Sequence, residues 1–458
     1  MSTPGAYRRY HIATEHTPNI VALPPRFRVR VKKHRLAQLL LKELVHFRGN
    51  LPVVLSRPCV YGVFSGPGGG FAPREELCVG CLRCTVQYPE VVQIHQNPKR
   101  ARLGDSYLAP EWVETILFEA TTGRVPVRGA GYRGPFGGRG WDGMWLDMSE
   151  IVRPTRDGIH GREFISTSVD VGEKPAVLRL ADDGSAVGTE PEPRLLVLQL
   201  PFLFDPPPPG ATAVQPILAE AARELETLAV IPIGSSLAGP QVVPLVERST
   251  LPLLDHLSEP PAMIALDGWD PGAFEEVERR FPESLVCVRV PADADVVEPA
   301  RAGARVLHLV ADYHGQVGER FVLDLVRGAH GRLVEAGVRE EVTLIGSGGI
   351  VLAEHVAKAI VCGVDAVALD TALWVALQGR FHSECRDRDA TRVSFERMTT
   401  EWGVRRLRNL SASWHDQLLE VLGAMGMREV RRLRGELGRC MFQDDLEREA
   451  FEGIEGYA

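Results

Sequence analysis

From Arg194 onward, short continuous apolar runs alternate with amphipathic helical stretches, and this alternation restricts the fold more than any other feature of the chain. The runs are RLLVLQL, LAVIPIG, AMIALDG, LVCVRV, RVLHLVAD, EVTLIGSGG and DAVALD. Between them, ILAEAARELETL, PGAFEEVERRF, RFVLDLVRGAHGRLVEAG and LAEHVAKAIVCG place apolar residues three and four apart, the period of a helix with one buried face. Strands that are apolar throughout are buried on both faces, as in parallel sheets covered by helices. With ISTSVDV as an eighth strand, the pattern predicts an α/β fold, a TIM-type barrel over roughly residues 165–380. A doubly wound open sheet is the competing architecture. It would carry G-x-G-x-x-G after its first strand, whereas the glycine signal here follows the next-to-last one.

That signal is VTLIGSGGI, Val342 to Ile350, which ends a strand and opens the helix near Leu352. Backbone N–H groups of Ser347, Gly348 and Gly349 can cradle a phosphate there, although a plain tight turn would have the same composition. One strand later, VALDTALW places Asp370 and Thr371 at a strand C-terminus, the end of a barrel where sites are built. In DYHGQ, His314 is a candidate proton donor or else a surface loop histidine.

Ahead of the barrel, Cys78, Cys81 and Cys84 sit in CVGCLRCTVQYP with the C-x2-C-x2-C spacing that holds an iron-sulfur cluster. Where the bacterial ferredoxin run has a fourth cysteine before proline, Tyr88 precedes Pro89. The fourth ligand is then sought elsewhere, and Cys59, followed by a glycine-rich stretch through Gly70, is the nearest candidate. One tight triplet plus one distant thiol suits a single 4Fe-4S cluster better than a structural zinc, which pairs two C-x2-4-C units. A 3Fe-4S cluster on the triplet alone is the other alternative. Cys287 and Cys362 lie in apolar runs as small hydrophobes, and Cys385 and Cys440 lack partner spacing.

At 458 residues, 45% hydrophobic and 24% charged, the chain is long enough for a large core and smaller modules. The expected division is an N-terminal strand and helix arm over 1–50, a ferredoxin-like module over 51–110, a glycine-rich ordered connector over 111–193, the barrel over 194–380 and a helical C-terminal segment over 381–458. In the arm, Leu36, Leu39, Leu40 and Leu44 share a helical face that packs on the cluster module. The connector carries Trp141, Trp145 and Phe164, and a linker is expected at Gly184 to Pro193. A formal charge of −8 argues against nucleic-acid binding. The locally basic run from Arg26 to Arg35 alternates with Phe27, Val29 and Val31, as in an edge strand; docking of an acidic electron donor is the alternative reading. No signal peptide and no membrane-spanning apolar stretch is read, and with these cysteines a reducing cytoplasmic setting is expected.

The order of cluster module, GYRGPFGGRGWDGMWLDMSEIVRPTRDGIHGREFISTSVDVG, barrel, SGGI turn and LGAMGMREVRRLRGELGR tail resembles the FMN-binding glutamate synthase family, in its stand-alone members with a ferredoxin-type module. The resemblance implies FMN in the barrel, its phosphate on Ser347, Gly348 and Gly349 with Asp370 and Thr371 beside it. It implies reductive amination of 2-oxoglutarate to glutamate, with the cluster feeding electrons to the flavin. Ammonia would come from solution or from a separate glutaminase subunit, since no glutaminase domain with a terminal cysteine nucleophile fits here. Electrons would come from ferredoxin or an NAD(P)H-dependent reductase subunit. The family's GEGG and GGQLPG segments, its three-cysteine barrel motif and its barrel lysine have no counterpart, and in the lysine's approximate place stands Arg289. These departures carry a second reading, an electron-transfer subunit with a degenerate barrel pocket.

Overall fold

The computed structural model describes residues 10–55, 59–126, 137–149, 164–174, 180–185, 193–382 and 386–455. Val21–Val113 forms one compact unit, and the second runs from Glu114 onward and includes the segment ending at Ile20.

Eight parallel strands close into the barrel of the second unit: β1 (Phe202–Phe204), β2 (Ala229–Pro232), β3 (Val242–Val246), β4 (Met263–Asp267), β5 (Leu285–Pro291), β6 (Val306–Val310), β7 (Thr343–Ser347) and β8 (Ala366–Leu369). The closing pair is β8 on β1, with Val367 opposite Phe202. Every residue of β7 and β8 is buried, as two-sided burial requires. The outer layer consists of α1 (Gln215–Glu224), α2 (Pro271–Arg280), α3 (Val297–Arg301), α4 (Val322–Glu335), α5 (Ala353–Val361) and α6 (Thr371–Ala376), followed by the 25-residue α7 (Thr400–Ala424). Asp270 caps α2 by accepting the Ala273 N–H at 2.9 Å, with Pro271 at the first helical position. On α7, Trp414 meets the Phe202 ring edge to face at 6.2 Å and is fully buried.

Two strands differ from the sequence expectation. RLLVLQL and ISTSVDV are not barrel staves: Val169–Gly172 pairs antiparallel with Leu195–Leu198 as a separate hairpin. Leu195 and Val197 are exposed, so this run alternates rather than being buried on both faces. The staves that take their places are FLF of β1, set off by Pro201, and VVPLV of β3. The barrel therefore spans 202–369. Beyond α7 the chain is not continuously helical: Cys440–Phe442 pairs with Met144–Leu146 of the connector. Residues 10–20 belong to the barrel unit, where Asn409 Nδ2 donates to Glu15 O at 2.7 Å and Arg406 Nη1 to Thr17 O at 3.0 Å. Cys385 and most of the expected linker lie outside the described residues.

In the Val21–Val113 unit, Phe27–Val31 pairs antiparallel with Val92–Gln96, which joins the expected arm to the cysteine module. The alternation is as expected, with Val29 buried and Arg28 and Arg30 exposed. Helix Lys33–His46 lays Leu36 and Leu39 on a cluster of buried residues, Val29, Val63, Cys78, Val91 and Val92.

Candidate functional site

At the C-terminal end of the barrel, the charged side chains of Asp205, Asp267, Arg289, Asp370 and Arg388 converge with His308 and Ser347. Arg289 extends from β5 and donates from Nη2 to Asp205 Oδ1 at 3.0 Å. Its Nη1 reaches Asp267 Oδ1 at 3.5 Å and its Nε donates to His308 Nδ1 at 3.3 Å. Since Nδ1 accepts, the His308 proton sits on Nε2, which donates to Ser347 Oγ at 3.0 Å. Burial pushes the His308 pKa down to about 3, so the ring is neutral. Arg388 completes the network, donating to Asp205 Oδ2 and Asp370 Oδ2, both at 2.7 Å, and to Ala311 O at 2.6 Å, with its guanidinium 4.6 Å from the Tyr313 ring centroid. Asp205 and Asp370 are completely buried. Burial, with the neighbouring Asp205 carboxylate, outweighs the attraction of Arg388 and lifts Asp370 to about 6.

The glycine turn lies beside this network. Ser347 is the last residue of β7 and directs its hydroxyl to His308, while Gly348 and Gly349 form the turn with φ of +112° and +68°. A side chain on Gly348 would meet Asp312 O at 2.7 Å and Ala311 Cβ at 2.8 Å. The Asp312 carboxylate holds that facing loop by accepting the His314 and Gln316 N–H groups at 2.9 and 2.7 Å. His314 itself is buried, not a surface histidine. Trp141 donates its indole N–H to Gly348 O at 3.4 Å and stacks edge to face on Phe321, so the connector covers the turn. Asp142 next to it accepts from Lys358 at 3.4 Å and pairs with His355 Nε2 at 3.0 Å, both on α5.

The donor chemistry of the turn fits a phosphate group: two consecutive left-handed glycines open α5, and the Thr371 hydroxyl stands at the first position of α6. One member works against an anion. The Asp370 side chain caps α6 by accepting the Thr371 N–H, which puts a carboxylate where a helix N-terminus would draw a phosphate. Of the residues expected from sequence, Arg289, Ser347 and Asp370 meet in one network, with Gly348, Gly349 and Thr371 at its edge. Asp205, Asp267, His308, Tyr313 and Arg388 were not anticipated. Asp205 had a readable signal, an acid directly after the apolar run FLF. Arg388, in the charge-dense RDRDATR, had none.

In the Val21–Val113 unit the four thiols of Cys59, Cys78, Cys81 and Cys84 line a single cavity with Val29, Val63 and Ile94. Left-handed Gly80 (φ +72°) and Leu82 (φ +58°) turn the loop between the cysteines. A side chain at Gly80 would strike the Phe27 ring at 2.4 Å. Burial raises the Cys78 and Cys84 thiols, and the neighbouring cysteines raise them further. Among the described residues no three His, Cys, Asp or Glu side chains already form a metal-holding group; the thiols line the cavity as separate donors.

Residues 310–428, from the end of β6 through α7, match the model of the conserved region in glutamate synthase. An archaeal-type glutamate synthase [NADPH] from Thermotoga sp. (strain RQ2) is 25% identical over 83% of this chain and 90% of its own. The archaeal glutamate synthase [NADPH] of Archaeoglobus fulgidus is 25% identical over 83% and 89%. That of Methanocaldococcus jannaschii is 39% identical over a shorter stretch, 24% of this chain and 22% of its own. Among solved structures, mandelate oxidase with (S)-4-hydroxymandelic acid has a TM-score of 0.43 at 15% identity, covering 64% of this chain and 87% of its own. A flavocytochrome b2 with pyruvate bound has a TM-score of 0.41 at 11% identity, covering 69% and 84%. The matched segment carries the glycine turn, Asp370, Thr371 and Arg388, so the similarity to the glutamate synthases falls on the barrel mouth.

Proposed function

We propose that this chain is a glutamate synthase-like flavin oxidoreductase that aminates 2-oxoglutarate reductively to glutamate, using FMN in the barrel and a 4Fe-4S cluster on Cys59, Cys78, Cys81 and Cys84. The match over residues 310–428 carries the reading, because that segment supplies the turn and the strand end opposite it. Gly348, Gly349 and Thr371 would hold the FMN phosphate. Bound flavin supplies hydride chemistry, and the cluster supplies single electrons. The chain's own residues set the charge around that site: the Arg289 guanidinium pairs with Asp205 and Asp267, and neutral His308 holds its side chain from β6 by accepting from Nε. Trp141 and Phe321 keep water from the turn.

One observation supports the cluster: the thiols of Cys59, Cys78, Cys81 and Cys84 face one cavity. The curated relatives carry NADPH in their names. This sequence has no dinucleotide fingerprint, so ferredoxin or a reductase subunit delivers the reductant, with ammonia free or from a glutaminase partner. The setting proposed is the reducing cytoplasm; among the described residues no helix is long and apolar enough to cross a membrane.

A second reading, an electron-transfer subunit with a degenerate pocket, is favoured by one observation: at the barrel mouth the two guanidinium groups face three carboxylates, leaving no surplus positive charge for a dicarboxylate substrate. Anaerobic purification, with iron, sulfide, zinc and FMN content and the visible spectrum on one sample, separates the readings. Four iron with one FMN, followed by glutamate formation from 2-oxoglutarate, ammonia and reduced ferredoxin, supports the synthase. Iron without flavin leaves the electron-transfer subunit, and zinc without iron overturns the cluster.

A further inference from the structure

Around the cysteine cavity the structure has an apolar rim. Cys78 is buried and Cys59 and Cys84 are half-buried, so Cys81 is where the ligand loop meets solvent. Beside it Val79 and Leu82 are 46% and 43% exposed, and Tyr61 and Val79 line the cavity itself. Val60, next to Cys59, is 84% exposed, and Val86, two residues past Cys84, is 79% exposed. The Val86 N–H donates to Leu82 O at 3.0 Å, which sets Val86 one helical turn beyond the left-handed Leu82. Large apolar side chains gathered at this exposure around a ligand loop mark an interaction surface.

Charge says what covers it. Residues 21–113 hold 14 lysines and arginines against 6 aspartates and glutamates, a formal +8, in a chain whose total is −8. Arg83 stands in the rim between Cys81 and Cys84, and Arg28, Arg30, Lys32, Lys33 and Arg35 extend the positive field, all exposed. Such a field speeds encounter with an acidic protein, while an apolar centre holds the docked complex.

We propose that Val60, Tyr61, Val79, Leu82 and Val86 form the docking face for an acidic one-electron carrier protein, which reduces the cluster through the Cys81 edge. The proposal rests on the cluster reading above. Each encounter moves one electron from the carrier, which is oxidised, to the cluster, which is reduced; two encounters supply the pair a hydride transfer requires.

The test uses the anaerobically purified full chain, its iron and sulfide counted first, titrated by calorimetry with an acidic 2Fe-2S ferredoxin. Binding is expected to weaken about tenfold or more between about 20 and about 200 mM NaCl. Leu82→Glu with Val86→Glu should weaken it at least about tenfold at unchanged iron content, while Val334→Glu, at an exposed position of α4 in the barrel unit, should leave it unchanged. A cluster-loaded chain that binds ferredoxin equally well with the rim substituted overturns the docking face alone. A chain that lacks iron overturns the cluster reading beneath it. Self-association abolished by the same substitutions would assign the face to a second copy and overturn the carrier.

Discussion

Arg388 donates to the Asp370 carboxylate at 2.7 Å inside the barrel mouth, and the same carboxylate caps α6. Its negative charge therefore stands beside the turn expected to hold the FMN phosphate. Removing the charge while keeping the cap separates the two roles. Asp370→Asn should bind FMN about tenfold more tightly at pH 8, about 1.4 kcal/mol, measured by fluorescence titration. The difference should shrink below pH 6, where the wild-type carboxyl, held at about 6 by burial, takes up its proton. Equal affinities at pH 8 would remove Asp370 from the cofactor environment.

Glu119, on helix Pro110–Thr122, is buried against α7 with two neutral donors, Trp414 Nε1 at 2.9 Å and Gln417 Nε2 at 2.8 Å. Burial raises it to about 7, above its unfolded value. A carboxyl so raised contributes full stability below the unfolded pKa and loses it as pH climbs through about 7. The barrel unit should thus lose up to about 3 kcal/mol between pH 4.5 and 8 from this group. Glu119→Gln should flatten that decline, melting higher than wild type at pH 8 and equally at pH 5. Parallel melting curves across that range would refute it.

Asp365, at the start of β8, shows the opposite sign. Burial works upward on it, but Arg339 at 2.8 Å, Lys174 at 3.0 Å and Arg434 at 2.8 Å prevail and hold it at about 2. A depressed carboxyl contributes stability above its unfolded pKa and loses it as pH falls toward the folded value. Roughly 2–3 kcal/mol should disappear between pH 4 and 2. Asp365→Asn leaves three cations without their partner and should cost about 3–5 kcal/mol at pH 7, read by urea unfolding.

How far the sequence carried can be seen in single residues. Continuous apolar runs ending in a polar residue marked β5, β6, β7 and β8, and with them Arg289, Ser347 and Asp370, because a stave buried on both faces leaves no other pattern. RLLVLQL misled because periodicity cannot distinguish a buried stave from a hairpin strand with one solvated face. FLF of β1 is too short for any period, and Pro244 in β3 reads as a breaker. Arg388 and His308 were unreadable for a different reason. Their meaning comes from partners at Asp205, 183 residues from Arg388, and at Ser347, 39 from His308, and only barrel closure brings these together.

Gly348 makes the last test, since its demand for glycine comes from both backbone and space. At φ +112° a side chain is strained, and a Cβ would stand 2.7 Å from Asp312 O and 2.8 Å from Ala311 Cβ, neither the flexible end of a side chain. Gly348→Ala should therefore destabilise the barrel by about 1–3 kcal/mol and lower FMN content in the same preparation. Gly331, within α4, supplies the control: no atom lies within 4 Å of its Cβ position, and helix propensity favours alanine by about 1 kcal/mol. Gly331→Ala should raise the melting temperature slightly and leave flavin content alone. If Gly348→Ala melts like wild type, the Asp312 loop yields to it, and the tight packing of the turn is not what holds the site in shape.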